Sequence, residues 1–266
     1  MLAFILQQNR KHSMNWHIGC SGFHYKEWKN VFYPVGLPQT KWFDYYSSQF
    51  DTVELNVTFY RFPQLSFLEN WYKKSPEHFL FAVKAPRLIT HYKKFVDVQE
   101  SLSSFYKTIR EGLKEKLGPV LFQLPPSFIY SDEKMQQIFK ALDHSFLNVI
   151  ECRHESWWNK KVFAAFKKHK VSFCSISYPN LPNDVIATTD TLYYRFHGIP
   201  KLYYSVYDKK TLTAVVDTIR KILAKTSFIY FNNTAGLGAI ENAEYIKEYI
   251  ISSDKRKRLV SKSILR

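Results

Sequence analysis

Short apolar runs recur along this chain, and nearly every one closes on a polar or ionisable residue: HIGCSG, TVELN, FLFAVKA, PVLFQLP, NVIECRH, SFCSIS, LYYRFHG and SFIYFNN. Runs of this continuity read as strands buried on both faces, the pattern of a parallel sheet covered by helices. Between them the apolar period lengthens. Leu102, Phe105, Tyr106, Ile109, Leu113 and Leu117 recur at three- and four-residue spacing, as do Leu212, Val215, Val216, Ile219, Ile222 and Leu223, and each set predicts an amphipathic helix. Shorter helices are expected at 41–49, 65–74, 132–142, 159–169 and 241–251, giving seven in all. Ser131 and Asp132 offer an N-cap to the helix at 132–142, and Gly118 with Pro119 stops the helix that begins near Leu102. The stretch YPNLPNDVIATTD, between the sixth and seventh strands, holds two prolines and several turn formers, so a loop is expected there in place of a helix.

This alternation predicts an α/β fold: a TIM-like (β/α) barrel of about eight parallel strands, with the sixth helix replaced by a loop. A doubly wound open sheet fits less well, because no glycine-rich phosphate loop follows the first strand. No linker or compositional break divides the chain. A single domain is expected over 14–252, preceded by an N-terminal extension at 1–13 and followed by a basic tail at 253–266. Met14 stands two residues ahead of Trp16, where the first strand begins, and is expected to be the natural start.

Composition adds a class and a charge. Hydrophobic residues at 45%, aromatics at 17% and only eight glycines describe a globular chain with a sizeable core. Cys20, Cys152 and Cys174 fall in three separate predicted strands without CxxC spacing, so they read as small buried hydrophobes in a reducing compartment. The opening MLAFILQQNR is too short for a signal-peptide core, and no later run approaches about 18 apolar residues. A cytoplasmic protein without membrane contact is expected. Net charge is +15, and Lys255, Arg256, Lys257, Arg258, Lys262 and Arg266 place part of it in the tail, read as a solvated, mobile end. The remaining excess favours an anionic small molecule or a nucleic acid as partner.

Candidate chemistry collects where the apolar runs end. Residues i and i+2 of a strand share a face, so Glu54 pairs with Asn56, Glu151 with Arg153 and Arg195 with His197 at three strand ends. Ser21, Lys84, His91, Gln123, Asn232 and Asn233 add a polar group at other strands of the same rim. In a parallel barrel that rim is where active sites are built. Lys84, Arg153 and Arg195 oppose Glu54 and Glu151, with His91, His154 and His197 available to add positive charge, so an anionic ligand is expected. Glu54, Glu151 and His197 are the candidate catalytic groups; Arg153 should keep Glu151 ionised, which leaves Glu54 as the better proton donor. Asn56, Tyr60, Lys84, His91, Gln123, Arg153, Arg195 and Asn232 are the candidate substrate-binding residues. No cofactor is expected. A divalent metal on Glu54, His91, Glu151 and His197 is the competing use of these groups, against which stand the lack of HxH or HExxH spacing and three nearby cations. Phe59, Tyr60, Phe62, Trp157, Trp158, Tyr203 and Tyr204 crowd the same loops, where they either pack or stack on bases and sugars. His12, His17, His78, His144 and His169 are read as surface or packing residues.

The ordered motifs IGCSGFHYKEW, FYP, TVELNVTFYRFP, FAVKAPRLITH, LGPVLFQLPPSF, IECRHESWW, YYRFHG and FNNTAGLGAIENA resemble those of the YecE-like family, domain of unknown function seventy-two, over residues 16–250. The resemblance implies a TIM-like barrel, similar to metal-dependent barrels that act on nucleic acids or sugars, an analogy of fold alone. It maps the family's motif positions onto Glu54, Asn56, Thr58, Tyr60, Lys84, His91, Gln123, Glu151, Arg153, Arg195, His197 and Asn232. Cys20, Phe23 and His24 depart from the family pattern near the first strand, and the ligands of a metal-dependent endonuclease cannot be matched one by one. The resulting expectation is an enzyme that binds a phosphate-bearing or other anionic substrate and hydrolyses a phosphodiester or glycosidic bond. The alternatives are a nucleic-acid-binding protein without catalysis and a metal-dependent nuclease or sugar isomerase.

Overall fold

A computed structural model describes residues 14–264. The expected extension at 1–13 and the end of the basic tail lie outside the described residues. The eight strands are β1 (Asn15–Cys20), β2 (Thr52–Leu55), β3 (Leu80–Lys84), β4 (Leu117–Gln123), β5 (Asn148–Glu151), β6 (Ser172–Ser177), β7 (Thr191–Phe196) and β8 (Thr226–Phe231). They form one parallel sheet in the order β1-β8-β7-β6-β5-β4-β3-β2. Around it stand α1 (Trp42–Gln49), the single turn α2 (Val57–Tyr60), α3 (Leu65–Lys74), α4 (Gln99–Leu113), α5 (Asp132–Ala141), α6 (Lys160–Lys168), α7 (Lys209–Arg220) and α8 (Gly238–Ile264). Among the described residues no helix is long and apolar enough to cross a membrane.

Side-chain alternation sorts each strand between two cores. Val53, Leu55, Phe81, Val83, Val120, Phe122, Ile150, Leu192, Tyr194, Phe196, Ile229 and Phe231 face the helices, in the larger hydrophobic cluster. Ala82, Leu121, Val149, Cys174, Ile176, Tyr193, Phe228 and Tyr230 form a separate cluster inside the barrel. Continuing that inner face toward the strand C-termini replaces apolar residues by Glu54, Lys84, Gln123, Glu151 and Arg195. The barrel interior is therefore largely apolar and aromatic in its lower layers and ionic in its top one.

The barrel closes by side chains at one seam. β1 and β2 approach without a ladder, and Gly19 makes the approach possible, since a Cβ there would sit 2.2 Å from the Thr52 carbonyl oxygen. The buried Tyr46 hydroxyl bridges the gap: it accepts from the Cys20 amide at 2.7 Å and donates to the Thr52 carbonyl at 3.0 Å. One hydroxyl thus satisfies a backbone donor and a backbone acceptor that a ladder would otherwise have paired.

The expected loop between β6 and β7 contains no helix, and an extended segment takes over the covering of β6. Ile186 donates its amide to the Ser175 hydroxyl at 2.8 Å, and Phe173 donates to the Thr188 hydroxyl at 2.9 Å. Three boundaries differ from expectation. Helix α4 ends at Leu113, where Lys114 adopts φ 50° and a 3-10 turn follows, so Leu117, Gly118 and Pro119 belong to β4. The last helix runs on to Ile264, past residue 251 and into the basic segment read as a mobile end. His91 lies on a single π-helical turn, Leu88–Tyr92, in place of a loop. Ser131 caps α5 as expected, accepting from the Lys134 amide, and Cys20, Cys152 and Cys174 are buried and free.

Candidate active site at the barrel mouth

The inward positions at the strand ends converge on one ionic cluster. Arg195 reaches across the barrel from β7, its Nη2 2.6 Å from Glu54 Oε1 on β2 and its Nη1 paired with Glu151 Oε2 on β5. Arg153 Nε pairs with the other oxygen of Glu151. The second oxygen of Glu54 accepts the Tyr193 hydroxyl at 2.6 Å. Both carboxylates are fully buried with every oxygen engaged, and Arg195 is 1% exposed. Four charged residues, Glu54, Glu151, Arg153 and Arg195, from the ends of three strands are thereby locked into a single unit, the arrangement in which buried charge is tolerated.

Above this layer His197 is walled in. Its Nε2 lies 3.1 Å from Arg153 Nη2 and 3.3 Å from Glu151 Oε1, and its Nδ1 lies 2.9 Å from the Asn232 amide. Burial, with Arg153 and Arg195 beside it, holds the imidazole well below the usual histidine range, so it is neutral. Burial alone would raise Glu151, but Arg153 and Arg195 outweigh it and keep the carboxyl well below the usual carboxylate range. Arg195 is held well above its ordinary value, burial being overcome by Glu151 and Glu54.

On the β3–β4 side Lys84 Nζ donates to Gln123 Oε1 at 3.0 Å and lies 4.0 Å from the centre of the Phe59 ring. Burial pushes its ammonium down to about 7, with Arg195 adding to the shift and Glu151 and Glu54 opposing it. Gln123 Nε2 lies 3.4 Å from His91 Nε2. His91 is pushed down to about 4, by burial and then by Lys84. Thr58 ties the ends of β2 and β3 together, its hydroxyl 2.9 Å from the Leu55 carbonyl and 2.6 Å from that of Lys84.

Several expected roles change on this geometry. Glu54, read as a proton donor, has no free oxygen and no exposed surface, so it acts as the counter-ion of Arg195. Arg195, read as a substrate-binding residue, is likewise inaccessible. His91 and His197 add no positive charge near neutral pH. His154 caps a 3-10 turn, accepting from the Ser156 amide, and Asn233 is buried on Ser205 and Asn242. Ser21 Oγ and Asn56 Oδ1 are buried without a hydrogen-bond partner among the described residues. As metal ligands Glu54, His91, Glu151 and His197 do not form a set: the carboxylates are engaged by guanidinium groups, and no three metal-binding side chains converge among the described residues. Trp157 packs, its indole donating to the Phe128 carbonyl, whereas Tyr60 is 66% exposed at the rim.

Two participants had weaker signals. Tyr193 shares its face with Arg195 and His197, so strand alternation could have found it. Tyr178, whose ring lies 4.1 Å under the Arg153 guanidinium, follows β6 in an irregular segment where no period points inward.

The comparisons with known proteins agree with this architecture. A family model described as "Protein of unknown function DUF72" matches residues 17–263. The chain is similar to UPF0759 protein YunF of Bacillus subtilis (strain 168), with 26% identity over 253 residues, covering 82% of this chain and 89% of that protein. The crystal structure of a DUF72 family protein from Thermotoga maritima MSB8 shares 27% identity and superposes with a TM-score of 0.81, covering 89% of this chain and 99% of that one. A DUF72 family protein from Enterococcus faecalis V583, at 20% identity, has the same fold with a TM-score of 0.75 over 90% of this chain and 98% of its own. With a matching model across nearly its whole length and the same barrel in its relatives, the chain belongs to the DUF72 family.

Proposed function

We propose that this chain is an enzyme whose active site is the barrel mouth and whose substrate carries a phosphate or another compact anionic group. The observation that supports this reading is a vertical segregation of charge. Glu54 and Glu151 are fully buried and paired below, whereas Arg153 and Lys84, at 8% and 9% exposure against 1% for Arg195, are the cations of the strand-end cluster that keep some exposed surface. Arg153 has one edge on Glu151 and its face on Tyr178, which fixes the planar donor fork that suits phosphate oxygens. Hydrolysis of a phosphoester is the reaction class to test first, with Lys84 as the group that titrates near neutrality. Glycosidic hydrolysis has less support, because it needs two carboxyl groups facing the sugar.

Calorimetric titration with inorganic phosphate, followed by turnover assays on chromogenic phosphate mono- and diesters, tests the reading. Arg153→Gln should weaken phosphate binding about ten- to a hundred-fold, the worth of one charge-assisted bidentate contact. Wild-type protein that binds no phosphate, or a variant that binds it equally well, would overturn the reading.

Nucleic-acid binding without catalysis has one specific observation in its favour. The Arg87 guanidinium lies 5.8 Å from the Tyr60 ring and 5.3 Å from the Tyr92 ring, and both tyrosines are more than half exposed. Such a cation and ring array suits stacked bases.

A further inference from the structure

Among the described residues two lysines are buried, and they are treated differently. Lys116, 6% exposed, has all three ammonium protons accepted: Nζ donates to the Tyr72 carbonyl and the Ser75 carbonyl at 2.8 Å, and to the Ser75 hydroxyl at 2.9 Å. That is the coordination a buried ammonium requires. Lys84 has one acceptor, the Gln123 amide oxygen, and otherwise faces the Phe59 ring. No carboxylate lies within ion-pair distance of it among the described residues, since Glu54 and Glu151 are engaged by Arg195 and Arg153. The Phe59 face gives the ammonium a cation–π contact, but one neutral acceptor in place of three and no carboxylate leave it far less compensated than that of Lys116, which favours the free amine.

We propose that Lys84 is a nucleophilic amine and that the mouth takes an anionic aldehyde or ketone, whose carbonyl carbon Lys84 captures as an imine while Arg153 holds the anionic group. The inference rests on the anion-binding half of the proposed function and replaces the ester there by a carbonyl. The Nζ lone pair attacks the carbonyl carbon, the C=O π pair moves to oxygen, and both amine hydrogens leave with that oxygen as water. No oxidant or reductant is needed. The groups that set the amine's charge are Arg195 on β7, Glu151 and Arg153 at the end of β5, and Glu54 on β2; His91, itself lowered by Lys84, faces it from the π turn. With the ammonium pushed down to about 7, Lys84 holds far more free amine at neutral pH than an ordinary lysine, for which it is less than about 0.1%.

The probe is pyridoxal 5′-phosphate, a phosphate-bearing aldehyde, followed by borohydride reduction and peptide mapping by mass spectrometry. Hydride then adds to the imine carbon and a proton to nitrogen, leaving a stable secondary amine. Lys84 should be labelled at least about tenfold faster than any exposed lysine near pH 7. Labelling should rise with pH through that region and should not occur at position 84 in Lys84→Arg. The mapping is made on wild-type protein, so the inference does not depend on that variant folding. Label spread over exposed lysines with Lys84 unmodified would overturn it. If Lys84 stays unmodified while inorganic phosphate still binds through Arg153, the imine falls and the anion site stands. If pyridoxal labels Lys84 as fast as its phosphate ester does, the nucleophilic amine stands and the role of Arg153 falls.

Discussion

Arg195 shows why the top of the barrel has the character it has. The two terminal nitrogens of one guanidinium are divided here, Nη2 on Glu54 and Nη1 on Glu151, so a single residue neutralises carboxylates from two strands, while its Nε has no hydrogen-bond partner among the described residues. An ammonium could not bridge them with the same geometry. The cluster leaves His197 neutral beside two guanidinium groups, with a consequence for stability. Its folded pKa lies well below 6.5, so between 6.5 and the folded value the unfolded chain binds a proton that the native one does not. Stability is therefore fully present above about 6.5 and is lost as pH falls, by up to about 1.4 kcal/mol per pH unit from this group. Glu151, depressed below its ordinary value, adds a loss of the same sign, beginning lower, as pH falls past the ordinary carboxylate range. Urea unfolding of wild type and His197→Gln at a series of pH values should show the wild type losing stability between about pH 6.5 and 5 with a steeper slope than the variant. Equal slopes in that window would show that His197 charges freely in the folded state.

At the scale of elements, the strands are legible in the chain as continuous apolar runs, and their inner faces follow from the alternation of side chains along any strand. Glu54, Lys84, Gln123, Glu151, Arg195 and His197 needed only that alternation to be placed on one rim. Partnership was another matter: Glu54 lies 141 residues from Arg195 in the chain, and no local pattern says that it meets a guanidinium and a tyrosine there. The end of α4 differs from the expected one for a related reason. Gly118 and Pro119 are helix-stopping residues, but here they sit inside β4, and the helix ends at Leu113, before Lys114 with its positive φ. The β1–β2 seam was also invisible, since it rests on Gly19 having no side chain and on one tyrosine hydroxyl. Tyr46→Phe should cost about 1–3 kcal/mol, because the Cys20 amide and the Thr52 carbonyl then stay buried without a partner. Hydrogen exchange at the Cys20 amide should accelerate with it, while the amides of β6 and β7 keep their protection. Unchanged exchange at Cys20 would mean that the strands close the seam without the hydroxyl.

For the whole molecule, the question is whether its +15 charge and its mouth act as one binding site or as two. On the proposed function, a compact anion at the Arg153 fork would meet a donor pair fixed by Glu151 and Tyr178, and its affinity should respond mildly to salt. A polyanion drawn to the surface as a whole displaces many counterions, and with 6–10 phosphate contacts loses about 10³–10⁵ in affinity between 50 and 200 mM salt. The chain has 38 lysines and arginines, so Arg153→Gln removes one basic residue among many. The expected outcome is a clean separation. The variant should lose inorganic phosphate binding, yet any salt-steep association with a single-stranded oligonucleotide, measured by fluorescence anisotropy, should change by no more than about threefold, in line with the loss of one contact. Competition gives the same test in reverse: inorganic phosphate that saturates the mouth should leave that association in place once ionic strength is matched. A common loss of both ligands in Arg153→Gln would make the mouth the nucleic-acid site as well, and would favour bases stacked on Tyr60 and Tyr92 over a small phosphate-bearing substrate.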